Sequence, residues 1–215
     1  MSTVIVFGAT GYAGGRITTE LLDRGHRVTG VARNRGALDE RATFAQGSIH
    51  DADFVRETTR GADHVVVALP AAAPEAGSPG LIDALPLLTD VATTEGARLS
   101  FVGGAGSLQV GEGGPTVVSQ PDFNPEYRPE ALAHSEILQS LRAGGPDLDW
   151  FYLSPAAEFG AWVPGERTGT FRLGGDVLLT DAEGGSTISG DDYAIAYVDE
   201  IESGAHPRRR FTVAY

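Results

Sequence analysis

The chain of 215 residues contains no cysteine, so disulfide bonds and thiolate metal sites are excluded, and no metal site is predicted. It also contains no lysine: all 16 basic residues are arginines, so no catalytic step can use a lysine side chain. No apolar stretch approaches the length of a membrane span. The formal net charge of −13 disfavours nucleic acids and anionic membranes as partners.

The length predicts a single domain over residues 1–215, with a core large enough to fold alone. A first strand is predicted within the first few residues, so a cytoplasmic protein is the simplest expectation. The sequence leaves the oligomeric state open.

Short apolar runs alternate with helical patterns along most of the chain. Such alternation predicts an α/β fold, a doubly wound and mostly parallel sheet of the Rossmann type with strand order 3-2-1-4-5-6. The predicted strands are 4–7, 26–32, 42–46, 64–68, 99–102, 149–153 and a closing strand at 211–214. The predicted helices are 12–24, 51–60, 81–95, 126–142 and 189–202. The remaining segment, 155–190, is predicted to form loops and short strands that cover part of the cleft.

A glycine-rich turn follows the first strand, with the sequence Gly8-Ala-Thr-Gly11-Tyr-Ala-Gly14. Gly8 permits a tight turn, Gly11 lets the backbone approach a pyrophosphate, and Gly14 lets the next helix pack on the strand. That helix would direct its free N–H groups and positive dipole end at the phosphates. The predicted cofactor contacts here are Gly8, Thr10, Gly11, Tyr12 and Ala13. A purely structural glycine turn is the alternative.

The end of the second strand normally selects the cofactor. An acidic residue there binds the ribose hydroxyls of NAD, whereas an arginine suits the extra phosphate of NADP. Here the strand runs into Arg33-Asn34-Arg35, with no carboxylate before Asp39. A guanidinium binds phosphate through paired charged hydrogen bonds, so Arg33 predicts that NADP(H) is preferred over NAD(H). Asn34 beside it is a further predicted cofactor contact. A solvated surface arginine is the alternative.

The same topology supplies the other predicted cofactor contacts. Ser48 and Ile49 would border the adenine, and the residues after strand four would border the second ribose. Two glycines after strand five complete the set of predicted cofactor contacts. The contacts after strands four and five are Ala68, Leu69, Pro70, Gly103 and Gly104.

Two Pro/Gly/Ala-rich stretches, 70–80 and 111–125, follow the same strands and are expected over the cleft, as lids or as ordinary surface loops.

Several motifs together resemble one family. The glycine turn, Val102-Gly-Gly-Ala-Gly-Ser107, Pro164-Gly-Glu-Arg-Thr-Gly169 and Asp192-Tyr-Ala-Ile-Ala196 are similar to segments of atypical short-chain dehydrogenase/reductases. The nearest branch is the small NAD(P)H-binding one that includes biliverdin reductase B/flavin reductase and NmrA-like proteins. The resemblance covers nearly the whole chain and implies the Rossmann fold and the cofactor class. Some members of this branch are sensors that bind the cofactor without turning it over.

The wider family uses a Tyr and a Lys four residues apart, with a Ser after strand five. Here Tyr127 is followed by an alanine at position 131, so no lysine lowers its pKa from about 10. Tyr127 is therefore a weak candidate proton donor, or a ring that packs at a helix start. Ser107 is a candidate for hydrogen bonding the substrate carbonyl or the nicotinamide, or a polar loop residue. His134 lies two turns along the same helix and is interpreted as structural. The C-terminal candidates for reaching the cleft are Glu158, Arg167 and Tyr193.

These residues favour an NADPH-dependent oxidoreductase that reduces a small conjugated acceptor, such as a flavin, a quinone-like molecule or a related carbonyl compound, by direct hydride transfer. Positioning carries much of the rate of such a reaction, and a conjugated acceptor can take its proton from water. One alternative is a non-enzymatic NADP(H)-binding sensor. Another is a biosynthetic ketoreductase or isomerase in which Ser107 is the main polar anchor.

Overall fold

The computed structural model describes residues 1–145, 147–163 and 165–215. Its strands are β1 (Thr3–Phe7), β2 (Arg27–Ala32), β3 (Thr43–Gln46), β4 (His64–Val67), β5 (Arg98–Val102), β6 (Trp150–Ser154), β7 (Arg172–Gly174) and β8 (Arg209–Ala214). Its helices are α1 (Tyr12–Asp23), α2 (Ala52–Thr59), α3 (Leu81–Glu95), α4 (Arg128–Ala143) and α5 (Gly190–Ser203), with short 3₁₀ helices at Val117–Ser119 and Pro125–Tyr127.

The strands form one sheet of order β3-β2-β1-β4-β5-β6-β8-β7. Neighbouring strands are parallel except for β7, which pairs antiparallel with β8. The predicted α/β fold and the order 3-2-1-4-5-6 are therefore confirmed. Two strands extend the sheet beyond β6, and β7 lies inside the segment that was expected to contain loops and short strands.

The central strands carry apolar side chains on both faces. In β1, Val4 to Phe7 are all buried, and in β4 the three valines at 65–67 are fully buried. A parallel strand covered by helices on both sides needs such a continuous apolar run, because neither face meets water. No helix among the described residues is long and apolar enough to cross a membrane.

Helices cover the sheet on both faces and form two separate cores. One core contains Ile17 of α1 and Tyr197 of α5, both fully buried. The other contains Val55 of α2, Leu88 of α3 and Ile137 of α4. The sheet lies between them as the middle layer, which is the doubly wound arrangement.

Helix α4 begins two residues later than the predicted start at residue 126. Residues Pro125–Tyr127 form a 3₁₀ turn instead, and Pro129 occupies the first turn of the α-helix. Proline is favoured there because the first amide groups of a helix have no intrahelical acceptor. Tyr127 therefore precedes the helix and does not belong to its regular face.

Candidate functional site

A cleft of about 780 Å³ opens at the carboxyl ends of β1, β2 and β4. The strand order reverses between β1 and β4, and ligands of open α/β sheets bind at such a switch point. The segment 70–80 forms part of its wall, as expected. The predicted cofactor contacts that line the cleft are Gly8, Thr10, Gly11, Arg33, Ser48, Ile49, Ala68, Leu69 and Pro70.

The backbone constrains the three glycine positions of the turn to different degrees. Gly8 has a φ of +83°, and a Cβ there would lie 2.2 Å from the carbonyl oxygen of Ala68. A Cβ on Gly14 would lie 2.2 Å from the Gly8 oxygen, so backbone packing requires glycine at both positions. Gly11 is exposed with an ordinary φ of −79°, and a Cβ would meet only the Gly8 oxygen at 3.3 Å. Packing therefore constrains position 11 much less than positions 8 and 14, and the space in front of Gly11 is open toward the cleft.

The amino terminus of α1 is suited to an anion. Gly11 is the N-cap, no side chain caps the helix, and its first turn contains no acidic residue. In contrast, Asp51 and Ser189 cap α2 and α5 through their side chains. The free N–H groups and positive dipole end of α1 thus remain available for a phosphate. Tyr12 lies in this first turn but does not line the cleft, and its ring centroid lies 4.1 Å from the guanidinium carbon of Arg16.

Tyr12 and Ala13 lie outside the cleft lining, so any contact they make with a cofactor would come from their backbone N–H groups. Asn34 is exposed beside Arg33 but does not line the cleft either. These three predicted contacts are near the cleft without facing it.

The end of β2 presents Arg33 to the cleft without a competing carboxylate. No described residue forms a hydrogen bond or an ion pair with its guanidinium, while its carbonyl oxygen accepts a hydrogen bond from Gln46 at 3.0 Å. Asp39, the first acidic residue downstream, is bound by the side chain of Arg41 at 2.7 and 3.0 Å. These hydrogen bonds lower the pKa of Asp39 to about 2. Asp39 lies outside the cleft lining, so it does not occupy the position of the acidic residue that selects NAD.

Glu130 of α4 lines the cleft and was not predicted. Its carboxylate accepts hydrogen bonds from the backbone N–H groups of Ala71 and Ala72, at 2.7 and 2.8 Å. Burial favours a higher pKa for Glu130, but hydrogen bonds from His134 and from these two N–H groups outweigh it and lower the pKa. Glu130 is therefore an ionised acceptor that fixes the segment after β4.

A chain of hydrogen bonds extends from Glu130 to the turn after β5. His134 Nε2 lies 3.2 Å from Glu130 Oε1, and His134 Nδ1 lies 3.1 Å from the hydroxyl oxygen of Tyr152. The N–H of Gly104 donates to that hydroxyl at 3.0 Å. If Nε2 carries the proton toward the carboxylate, Nδ1 accepts from Tyr152, so each group finds a complementary partner. Burial raises the pKa of Tyr152, which keeps its hydroxyl protonated.

Gly103 and Gly104 lie outside the cleft lining, although both were predicted as cofactor contacts. A Cβ on Gly103 would lie 2.1 Å from the Tyr152 ring, and one on Gly104 would lie 3.3 Å from the His134 side chain. Packing of the turn against Tyr152 and His134 is sufficient reason for both glycines.

Ser107 lines a second cavity of about 350 Å³ and not the cleft. Its Oγ lies 3.4 Å from Nη1 of Arg210, a buried arginine that also pairs with Asp176. Gly106 explains this placement: a Cβ there would lie 2.6 Å from that of Ala131, so the turn runs directly against α4. Ser107 then lines the second cavity together with residues of α4 such as Leu132 and Ser135. The segment 111–125 borders this second cavity, not the cleft.

Tyr127 lies outside the cleft lining, three residues before Glu130. It is 53 % exposed, and its ring is parallel to that of Trp162, with centroids 6.4 Å apart. Among the described contacts, its hydroxyl forms no hydrogen bond. The structure therefore does not bring Ser107 and Tyr127 together, and neither faces the cleft.

The C-terminal candidates do not reach the cleft lining. Glu158 is exposed, Arg167 is 2.6 Å from Glu20, and the buried Tyr193 donates its hydroxyl to the carbonyl oxygen of Leu153 at 2.8 Å. Pro164, which begins one of the motifs of the resemblance, lies outside the described residues.

The fold and the cleft define an NAD(P)-binding Rossmann protein of the atypical short-chain dehydrogenase/reductase type. The chain belongs to the NAD(P)H-binding family, whose family model matches residues 8–202. It is 36 % identical to YwnB of Bacillus subtilis over 210 residues, which are 97 % of this chain and 96 % of YwnB.

Two solved structures have the same architecture over the whole chain. A candidate epimerase from Bacteroides thetaiotaomicron is 31 % identical, with a TM-score of 0.85 and 97 % of its own chain covered. A candidate NADH-flavin reductase from Streptococcus pneumoniae is 32 % identical, with a TM-score of 0.79 and 99 % of its chain covered. The family resemblance seen in the motifs is confirmed, together with an oxidoreductase-like NAD(P)H-binding fold.

Proposed function

We propose that this protein is a cytoplasmic NADPH-dependent reductase of a small conjugated acceptor, such as a flavin or a quinone-like molecule. NADPH, when bound, supplies a hydride; the residues of this chain hold the cofactor and admit the acceptor. The similarity to the candidate NADH-flavin reductase of Streptococcus pneumoniae supports this acceptor class.

The observation that carries the proposal is the chemistry of the cleft wall. Glu130, the acidic side chain in the lining, is ionised because its pKa is lowered, and two backbone N–H groups occupy its oxygens. It is therefore a poor proton donor. His50 also lines the cleft, but it follows Ser48 and Ile49 at the end where the adenine would lie. An opposite end that offers hydride without an acid beside it suits an acceptor that obtains its proton from water, and suits isolated ketones poorly.

The cofactor half of the proposal rests on two residues. Arg33 faces the cleft at the tip of β2, and its guanidinium is available for the 2′-phosphate of NADPH. Gly11 leaves room for the pyrophosphate at the uncapped end of α1. Ser48 and Ile49 line the same end of the cleft as Arg33, since β3 ends beside β2, and the adenine would lie there.

A panel assay tests the proposal. Oxidation of NADPH is followed at 340 nm with FMN, riboflavin, menadione and a simple ketone, each with the unmutated protein and with Gly11→Val. Steady turnover with a flavin or a quinone, absent in Gly11→Val, is expected. Turnover with the ketone alone would contradict the proposed acceptor class.

A non-enzymatic NADP(H) sensor is the second candidate, favoured by the placement of Ser107 and Tyr127 outside the cleft lining. Tight binding of NADPH without oxidation by any acceptor in the panel is the result that this alternative predicts.

A further inference from the structure

Two exposed aromatic rings stack beside the cleft. Trp162 is 71 % exposed and Tyr127 is 53 % exposed, and their planes differ by only 3° at a centroid distance of 6.4 Å. We call these two side chains the aromatic pair. Each ring leaves much of its surface open to solvent, although aromatic rings gain strongly from burial.

Trp162 belongs to a segment, residues 157–163, that hydrogen bonds hold in place; we call it the arch. At its start, the N–H of Ala157 donates to Ser186 Oγ at 3.1 Å. Farther on, the N–H groups of Thr168 and Gly169 donate to the carboxylate of Asp192 at 2.8–3.0 Å. The chain is therefore tied to the body of the protein five residues before Trp162 and again from six residues after it.

The indole is also oriented locally. A Cβ on Gly160 would lie 2.4 Å from two atoms of the Trp162 ring, so the ring rests directly on the Gly160 backbone. Any larger residue at 160 would displace the indole.

The arch connects the two helices that flank the cleft. Phe159 packs on Tyr12 of α1 at 5.4 Å, next to Gly11 in the cleft, and Trp162 packs on Tyr127 at the start of α4. Glu130, which lines the cleft, follows Tyr127 by three residues. The arch and the aromatic pair therefore adjoin the cleft lining in two places, near Gly11 through Tyr12 and near Glu130 through Tyr127, and lie outside the lining itself.

We infer that the aromatic pair is the docking surface for the flat ring of the acceptor, an inference that rests on the proposed reductase function. A planar conjugated molecule stacks on indole and phenol rings over a large area, at low cost in side-chain entropy. The inference places the nicotinamide at the part of the cleft next to Glu130, away from the adenine end at Ser48, so that a ring stacked on the pair would meet the hydride donor. The pair positions the acceptor and exchanges no proton with it.

Binding measured by fluorescence tests this assignment independently of turnover. FMN is titrated with protein saturated with NADP⁺, and quenching of the flavin emission by the stacked indole reports binding. Trp162→Ala is expected to raise the Kd for FMN about tenfold, and Trp162→Phe clearly less, because one ring remains. Gly160→Ala, which displaces the indole but removes no ring, is expected to act like Trp162→Ala. Leu173→Ala on β7, where the side chain is 50 % exposed, is the matched control.

The outcomes separate the two proposals. Unchanged FMN binding in Trp162→Ala, or equal weakening in Leu173→Ala, would refute the docking surface while leaving a functioning reductase intact. Binding of FMN that depends on Trp162 without NADPH oxidation would support the docking surface and refute the reductase. No FMN binding by the unmutated protein would overturn the docking surface. In all variants the Kd for NADP⁺ should stay within about twofold.

Discussion

Replacement of Arg33 by alanine gives the most direct test of how the cleft recognises its cofactor. The guanidinium faces the cleft, and no described residue engages it. Hydrogen bonds to charged groups contribute roughly 1.5–3 kcal/mol, and each 1.4 kcal/mol corresponds to a tenfold change in Kd. Because Arg33 is exposed to solvent, the lower end of this range applies. Arg33→Ala is therefore expected to weaken NADPH binding about tenfold.

The same substitution should leave NADH binding unchanged, because NADH lacks the 2′-phosphate. Titration of both cofactors by calorimetry or by nicotinamide fluorescence measures the two Kd values. Raising the salt concentration should weaken NADPH binding to the unmutated protein more than to the variant, since an exposed charge pair is screened. Arg35→Ala is the matched control, because the Arg35 guanidinium lies 6.0 Å over the Phe44 ring and outside the cleft lining.

Two results would refute this account of cofactor choice. Equal affinities of the unmutated protein for NADPH and NADH would show that Arg33 does not select the cofactor. An equal loss for both cofactors in Arg33→Ala would show that the arginine acts on a part they share, such as the adenine.

Further substitutions test the cleft and the fold. Gly11→Val should abolish cofactor binding with a near-native circular dichroism spectrum, whereas Gly14→Ala should lower the Tm, because its Cβ would lie 2.2 Å from the Gly8 oxygen. Glu130→Gln should raise the Kd for NADPH about threefold to tenfold by loosening the segment after β4, and an unchanged Kd would disprove that coupling. Tyr127→Phe keeps the ring and should change kcat less than about threefold, far below the 10²–10⁴-fold typical of losing a general acid. Burial favours a higher pKa for Asp192, but hydrogen bonds from Tyr215 and Thr168 outweigh it and lower the pKa. The stability that these hydrogen bonds provide is present above about pH 4 and is lost as the pH falls further. Asp192→Asn should therefore flatten the acid side of a curve of Tm against pH.

Local patterns were enough to predict the part of the fold that forms the cofactor cleft. The apolar run of β1, the glycine spacing and the helix from Tyr12 are neighbours in the chain, and each constrains the next through backbone geometry. The end of β2 at Arg33 follows from the same reasoning, because parallel strands finish at one edge of the sheet.

Contacts between distant segments could not be predicted in the same way. Ser107 turns away from the cleft because Gly106 packs on Ala131, and nothing in the local sequence around Ser107 specifies that contact. The pairing of β7 with β8 likewise joins strands separated by a whole helix. Glu130 offered one signal, its i,i+4 spacing to His134, but the spacing does not reveal which backbone N–H groups the carboxylate binds.

The position of Glu130 on α4 has a kinetic consequence. The wall of the cofactor cleft and the proposed acceptor-docking surface meet at the start of α4, since Glu130 holds Ala71 and Ala72 while Tyr127 lies just before the helix. Only two residues separate Tyr127 from Glu130 across the junction of the 3₁₀ turn and α4, so we expect a shift of that wall on cofactor entry to move the aromatic ring as well. We therefore expect compulsory-order kinetics, with the cofactor binding first and the second substrate binding to a surface that the first has already set.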